Sequence, residues 1–443
     1  MTNTLEIKRG LDLRIAGGIE KAKVEREVKP KMVAICPDDF PGLVPKPDVK
    51  EGAAIKAGEP LFHDKKYEEI KVVSPVSGIV KSVERGERRK ILKFVIESDG
   101  DDAKTFDTTV KNAEDAKRLL SESGLWAFMS QRPYGIVPKY DATPRDIFVS
   151  GFDSAPLAPD YALLLDGKDK ELAAGVKLLA MLTPGKVYVS RRAGAKDIAG
   201  AEMVTIKGPH PAGIVGVMIN NIAPVNKGET VWTLDAVTLA RIGGLALTGK
   251  VDFSAIVALT GSEIEKPHYL KTTIGAELSP ILSDMLRKKK RNKRVISGNV
   301  LVGQIESPEG YLHFPYRQIT VIPEGDDKVE FMGWASFSPK KMSVSRSFPG
   351  HFLSRLFKPD ARINGGRRAM IMSGEYDEVM PMDILPEFLI KAILSRNIDQ
   401  MEQLGIYEVV PEDFALAEYV DTSKLELQKI VAEGLEYLRK ELE

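Results

Sequence analysis

The sequence predicts a multidomain α/β protein, and three observations carry that expectation. At 443 residues the chain exceeds what one hydrophobic core usually serves. Residues 49–97 break into short apolar runs separated by glycine, which is the pattern of strands and tight turns. Residues 146–261 alternate apolar strand-like runs with an amphipathic helix, which is the pattern of an α/β layer. With 43% hydrophobic and 28% charged residues, the chain has enough apolar surface to fold.

The first domain is drawn at 1–110. Its opening stretch is interrupted by Glu6, Lys8, Arg9, Asp12 and Arg14, so it lacks the apolar core of a signal peptide. Gly52 and Gly58 fall at turns, and Val72, Val73, Ile79, Val80 and Val83 supply sheet-facing side chains. The spacing around SPVSG (74–78) predicts a biotinyl/lipoyl-like β half-barrel. In carriers of that type a modified lysine sits at a hairpin tip, about where Lys65 falls, so a swinging-arm carrier is one alternative function. Lys65, Lys66 and Tyr67 lack the hydrophobic flanks of a modification site, and a solvated tip is the simpler reading.

The second domain, 111–262, is expected to be Rossmann-like α/β. Ala113, Ala116, Leu119, Leu120 and Leu125 repeat at helical spacing, and a proline-rich loop follows. The runs 147–151, 186–190, 203–208 and 254–261 read as buried strands, with a helix over 171–182. The third domain, 263–378, gives strands around a short helix and predicts a small β-grasp (ubiquitin-like) element with connecting segments. The fourth, 379–443, has helical spacing in Ile384, Leu385, Phe388, Leu389 and Ile393 and again from Leu425 to Leu442, with Asp421, Thr422 and Ser423 offering an N-cap.

Composition narrows the function. Lys plus Arg equals Asp plus Glu at 63 each, so no global field favours nucleic acid. The only cysteine, Cys36, excludes an internal disulfide and any cysteine-only zinc or iron–sulfur site in this chain. No run of 18 apolar residues occurs, so no membrane-spanning helix is expected. A phosphate cradle of the G-x-G-x-x-G kind follows none of the strands. The pairs Gly243–Gly244 and Gly365–Gly366 read as turns, and Pro209 and Pro211 remove amide donors from the loop holding Gly208 and Gly213.

Five long strings resemble, in order, segments of the A-subunit family of sodium-translocating NADH:quinone reductases (Na+-NQR). They are KRGLDLRIAG (8–17), GPHPAGIVG (208–216), EGDDKVEFMGW (324–334), NGGRRAMIMSGEYDEVMPMDILP (364–386) and EDFALAEYV (412–420). The resemblance implies a peripheral subunit on the cytoplasmic face of the bacterial inner membrane, beside five others that carry the NADH site, FAD, FMN, iron–sulfur centres and the sodium path. It also implies distant kinship with the flavin- and NADH-binding subunit of respiratory complex I. No cofactor is expected to be tightly bound in this chain, whose own work would be docking and, on one reading, quinone contact. An independent NADH-oxidising flavoprotein is the other alternative, separated by flavin colour and turnover in the isolated chain.

A quinone asks for a flat apolar wall with one or two hydrogen-bond donors. Trp126, Phe128, Met129, Gln131, Arg132 and Tyr134 gather such groups beside stiff backbone, and Phe40 is added as a contributor. Ordinary interdomain packing is the competing explanation. His210, held between two prolines, is a candidate for ligand or proton contact, against a structural role at a helix start. Family members commonly continue with further histidines, whereas this chain reads VMINN over 217–221, which weakens the idea of a histidine cluster. Arg287, Lys288, Lys289, Lys290 and Arg291 open the strongest basic run, a candidate contact for anionic lipid or an acidic partner face, with a solvated loop as the alternative. No catalytic residue and no metal site are expected.

Overall fold

The computed structural model describes residues 3–327, 338–344, 348–353 and 355–442. Part of the string 324–334 quoted above, from Lys328 on, lies outside the described residues.

The chain begins by serving other layers. Strand β1 (Asn3–Glu6) runs parallel to residues 204–207, and β2 (Val24–Glu27) pairs in parallel with residues 269–271. The next seven strands make two small antiparallel sheets. One joins β3 (Met32–Ile35), β5 (Ala54–Ile55), β8 (Gly78–Arg85) and β9 (Ile91–Ser98), and the other joins β4 (Pro45–Pro47), β6 (Pro60–Asp64) and β7 (Lys71–Val73). Phe62 and Phe94 meet in the shared core of these sheets, their rings stacked 5.2 Å apart. Gly78 of SPVSG has φ +152, and a Cβ there would meet the Glu97 carbonyl oxygen at 2.0 Å, so the turn into β8 admits only glycine.

After helix α1 (Ala113–Glu122), capped by the Asn112 side chain, come β10 (Ser130–Arg132) and β11 (Ile147–Ser150). Then follow α2 (Tyr161–Leu164), α3 (Asp169–Leu179), β12 (Val187–Arg191), β13 (Glu202–Lys207), α4 (Val215–Ile222), β14 (Val231–Asp235) and α5 (Ala236–Thr248). The strands form one sheet in the order β1-β13-β12-β11-β14-β10, parallel except for β10. From β11 the chain steps outward through β12 to β13, then crosses back to place β14 on the other side of β11. The order therefore reverses between β11 and β14.

Two expectations need correction here. The run 254–261 belongs to a different sheet, and the strand completing this one is Val231–Asp235, which leads straight into α5 without a turn to mark it. Gly243 and Gly244 lie inside α5 rather than in a turn. A Cβ on Gly243 would sit 1.7 Å from the Glu171 carbonyl oxygen and one on Gly175 2.4 Å from that of Leu239, so these two glycines let α3 and α5 touch backbone to backbone. Gly243→Ala is expected to force the helices apart at a cost of about 1–3 kcal/mol. A thermal unfolding midpoint unchanged from the parent would contradict this close approach.

A mixed sheet follows, in the order β18-β17-β19-β15-β16-β2. It comprises β15 (Ser254–Thr260), β16 (His268–Thr273), β17 (Lys293–Ser297), β18 (Gln304–Glu306) and β19 (Gln318–Pro323), with the short helix α6 (Ser279–Leu282) between β16 and β17. The C-terminal part is helical: α7 (Glu375–Val379), α8 (Pro386–Leu394), α9 (Ile398–Gln403), α10 (Ala415–Val420) and α11 (Leu427–Leu442). Asp421 accepts the Ser423 and Leu425 N–H groups ahead of α11. Leu389, Ile390, Phe414, Val431 and Leu435 share a core with Val217, Met218 and Ile219 of α4, so the helices cover one face of the parallel sheet while α3 and α5 pack in the core on the other. The chain is thus α/β and multidomain. No helix of the described residues is long and apolar enough to cross a membrane.

Candidate functional site

The parallel sheet positions the site. In open α/β sheets the crevice beyond the carboxyl ends of the strands, where the strand order reverses, is where ligands collect. Here Ser150 ends β11 with Phe152 and Asp153 just beyond it, Thr233, Leu234 and Asp235 end β14, and all six line a cleft of about 830 Å³. Further walls come from Asp39 and Pro41, residues 127–130 and 134–137, Asn299 and 314–318, Glu412, and Gln428 and Arg439 of α11.

One wall is aromatic. Phe128 and Phe314 lie 4.3 Å apart with rings tilted by 37°, and Phe40 stacks on Phe314 from behind at 5.3 Å. Tyr316 and Phe152 extend the apolar lining.

The polar groups of the lining include Asp153, Tyr161, Asp235, Arg317 and Glu412. Asp235 caps α5 through the Thr238 N–H at 2.7 Å and holds Arg317 at 2.5 Å. That pair neutralises itself, whereas Asp153 and Glu412 have no such partner among the ion pairs of the described residues. Crowding by protein, then repulsion from Asp413, raise the Glu412 carboxyl to about 7 against the pull of Arg132, although cleft solvent still reaches it. Burial likewise raises Asp153, against hydrogen bonds from the Ala155 and Ser154 backbone. Burial raises the Tyr161 hydroxyl well above its ordinary range. The site therefore combines an aromatic wall with a tyrosine hydroxyl and two carboxyls held above their ordinary range.

The sequence-selected residues separate into two groups. Phe128, Met129 and Tyr134 line the cleft, the last with φ +82, and Phe40 backs the aromatic wall. Trp126 is fully buried behind it, edge-on to Trp232 at 5.0 Å, with its indole N–H donating to the Pro138 carbonyl at 2.8 Å. Arg132 is buried too. Its guanidinium makes two bonds to Asp413, at 2.7 and 3.2 Å, and a third to the Glu408 carbonyl at 2.9 Å.

His210 lies elsewhere, in the loop before α4. Its Nδ1 is 3.0 Å from Ser154 Oγ, its backbone N–H donates to Asp12, and burial draws its pKa down to about 4. The ring is therefore neutral near pH 7.

In the basic run, Arg287 donates to the Ser262 carbonyl and Arg291 pairs with the buried Glu263, while Lys288, Lys289 and Lys290 are exposed. Lys65 is exposed in the β6–β7 connection, a tip fastened by Asp64, which accepts the Val44, Lys66 and Tyr67 N–H groups.

Asp153, Tyr161, Glu412, Phe314 and Arg317 were not singled out from sequence. A strand ending in aspartate that also caps the next helix, as at Asp235, is the local signal that could have pointed to this crevice. Among the described residues one group has the donor types for a metal ion, Cys36, Asp39 and His313. Burial works against charge on His313, but Asp39, Cys36 and Glu306 push its pKa up to about 12.

Three family models match the chain in order. The NqrA N-terminal barrel-sandwich hybrid domain covers residues 5–99, the NqrA second alpha/beta domain 111–251, and the NQRA C-terminal domain 256–307. The A-subunit of the Na(+)-translocating NADH-quinone reductase of Neisseria meningitidis serogroup A is 37% identical over 449 residues, covering 99% of this chain and all of that one. The corresponding Serratia proteamaculans protein is 37% identical over 451 residues with the same coverage. Among solved structures, an NAD+-reducing NiFe-hydrogenase in the H2-reduced state is 12% identical, covers 68% of this chain and 55% of its own, and gives a TM-score of 0.35, too slight a likeness to carry an argument. On the family models and the full-length relatives together, the chain belongs to the NqrA family of sodium-translocating NADH-quinone reductases.

Proposed function

We infer that this chain works as the NqrA component of a sodium-translocating NADH:quinone reductase, a complex that oxidises NADH, reduces quinone to quinol and moves sodium. The near-complete match to NqrA relatives carries that reading. The chain is a peripheral part of an oxidoreductase and is inactive alone. With one cysteine it supplies no thiolate set for an iron–sulfur cluster, so any such centre belongs to its neighbours. The cytoplasmic membrane face and five partner subunits are part of this proposal, as are the half-barrel, Rossmann-like and β-grasp assignments, which the sheet orders support. Exposed Lys288, Lys289 and Lys290 are the candidate contacts to an anionic lipid or partner surface, each adding about 1 kcal/mol near such a surface. Recovery of sodium-stimulated NADH:quinone reductase activity with the tagged chain from native membranes tests the assignment, and recovery of the chain alone from several intact preparations would overturn it.

The cleft at the strand-order reversal is the proposed seat of the quinone headgroup, its ring against Phe128 and Phe314 and a carbonyl facing Glu412. Glu412 titrates above the usual carboxylate range, so its donor O–H is present below about pH 7 and is lost as pH rises through that value. Affinity of the chain for a short-tailed quinone is accordingly expected to fall about three- to tenfold across that rise, the worth of one hydrogen bond. Glu412→Gln should keep the donor and flatten the profile. Binding that is unaltered by pH and by Phe128→Ala would place the quinone elsewhere.

A further inference from the structure

A second polar cluster adjoins the aromatic wall, and of its residues only Asp39 also lines the cleft. Cys36 follows β3, Asp39 closes the short turn Pro37–Asp39, and His313 stands between β18 and β19. Sulfur, carboxylate oxygen and imidazole nitrogen from these three residues all lie within 4.8 Å of one another. The imidazole is held at both nitrogens: Nδ1 is 2.8 Å from Asp39 Oδ1, and Nε2 is 2.8 Å from Glu306 Oε1. Asp39 is itself fixed, since its other oxygen accepts the Phe314 N–H at 3.1 Å.

We propose that Cys36, Asp39 and His313 form a binding site for a divalent zinc-type ion, with Glu306 orienting the imidazole from outside. The donor set selects the class of metal. One thiolate, one imidazole and one carboxylate suit a borderline ion such as Zn²⁺ and not the all-oxygen preference of Mg²⁺ or Ca²⁺. Three protein ligands leave a fourth, tetrahedral position for water. The Nε2–Glu306 contact is the carboxylate–histidine arrangement that fixes the tautomer and turns Nδ1 toward a metal.

Charge also balances. As the ion enters, the thiol gives up its S–H proton and the imidazolium its Nδ1 proton to solvent, so two positive charges replace two and the two carboxylates stay compensated. The Nδ1–Oδ1 contact needs to open by about half an ångström to admit an ion bonded at about 2.0–2.2 Å to each.

The consequence is a cross-link. An ion here would tie the end of β3 to the connection that carries Phe314, and so fix one wall of the cleft. Zinc does no electron transfer, so this site sits beside, and not within, the redox work of the complex.

The test uses the full chain, stripped with a chelator and titrated with Co²⁺ as a spectroscopic substitute for zinc. One equivalent should produce a thiolate-to-cobalt charge-transfer band and the strong visible bands of a tetrahedral ion, both abolished by added Zn²⁺. Because Cys36 is the only cysteine, that band can have no other source. Cys36→Ser should abolish it, and Glu306→Gln should weaken cobalt binding by about tenfold. A parent chain that shows no charge-transfer band in excess cobalt overturns the proposal, as does cobalt affinity unaffected by His313→Gln. Should either ligand variant fail to fold, the spectrum of the parent chain decides alone.

Discussion

Arg132→Ala is expected to lower stability by about 3–5 kcal/mol, the penalty for leaving one member of a buried ion pair unpaired. The pair is 2% and 0% exposed at its two side chains, and among the described residues Asp413 would be left with only the Val410 N–H at 2.8 Å. Gly216 of α4 makes room for it, since a Cβ there would meet Asp413 Oδ1 at 2.2 Å and Arg132 Nη1 at 2.7 Å. The contact joins β10 to the C-terminal helices across 281 residues of sequence, so its loss should also loosen that unit. Chemical denaturation together with limited proteolysis of the C-terminal part measures both effects. A variant as stable as the parent, with quinone affinity alone reduced, would restore Arg132 to the ligand-contact role its sequence neighbourhood suggested.

The second large effect is expected at Trp126. Its ring is fully buried between Tyr140 and Trp232, at 5.5 and 5.0 Å, so alanine would leave a cavity costing about 3–5 kcal/mol. The Pro138 carbonyl would lose its indole donor as well. The loss should appear as a lower unfolding midpoint, with the affinity of the remaining folded chain for quinone close to that of the parent. Unchanged stability would show that the ring is not packed as described.

These two residues mark where sequence reading stops. Aromatic and cationic side chains beside prolines look the same whether they meet a ligand or one another, and what separates the two cases for Arg132 is an aspartate at position 413. The same distance hides the cleft, because Asp153, Arg317 and Glu412 meet only after three separate layers are stacked. Short-range signals were legible for the opposite reason. The apolar runs through Val72, Val73 and Val80 and the glycine of SPVSG report on neighbours in the same two sheets, although Ile79, expected inward with them, is exposed, and the helical spacing around Leu119 reports on a face of one helix. Strand β14 escaped notice because Asp235 is at once its last residue and the cap of α5, so no turn separates strand from helix. The coarse α/β, multidomain character followed from such local patterns. The pairing of β1 and β2 with sheets formed much later in the chain did not.

That last arrangement bears on how the molecule comes to be made. Asn3 pairs with Val204, so during synthesis the outermost strand of the parallel sheet has to wait until roughly half the polypeptide has left the ribosome. Contacts this distant in sequence slow assembly. Until they form, β13 keeps an open row of hydrogen-bonding groups to which a neighbouring nascent chain could attach.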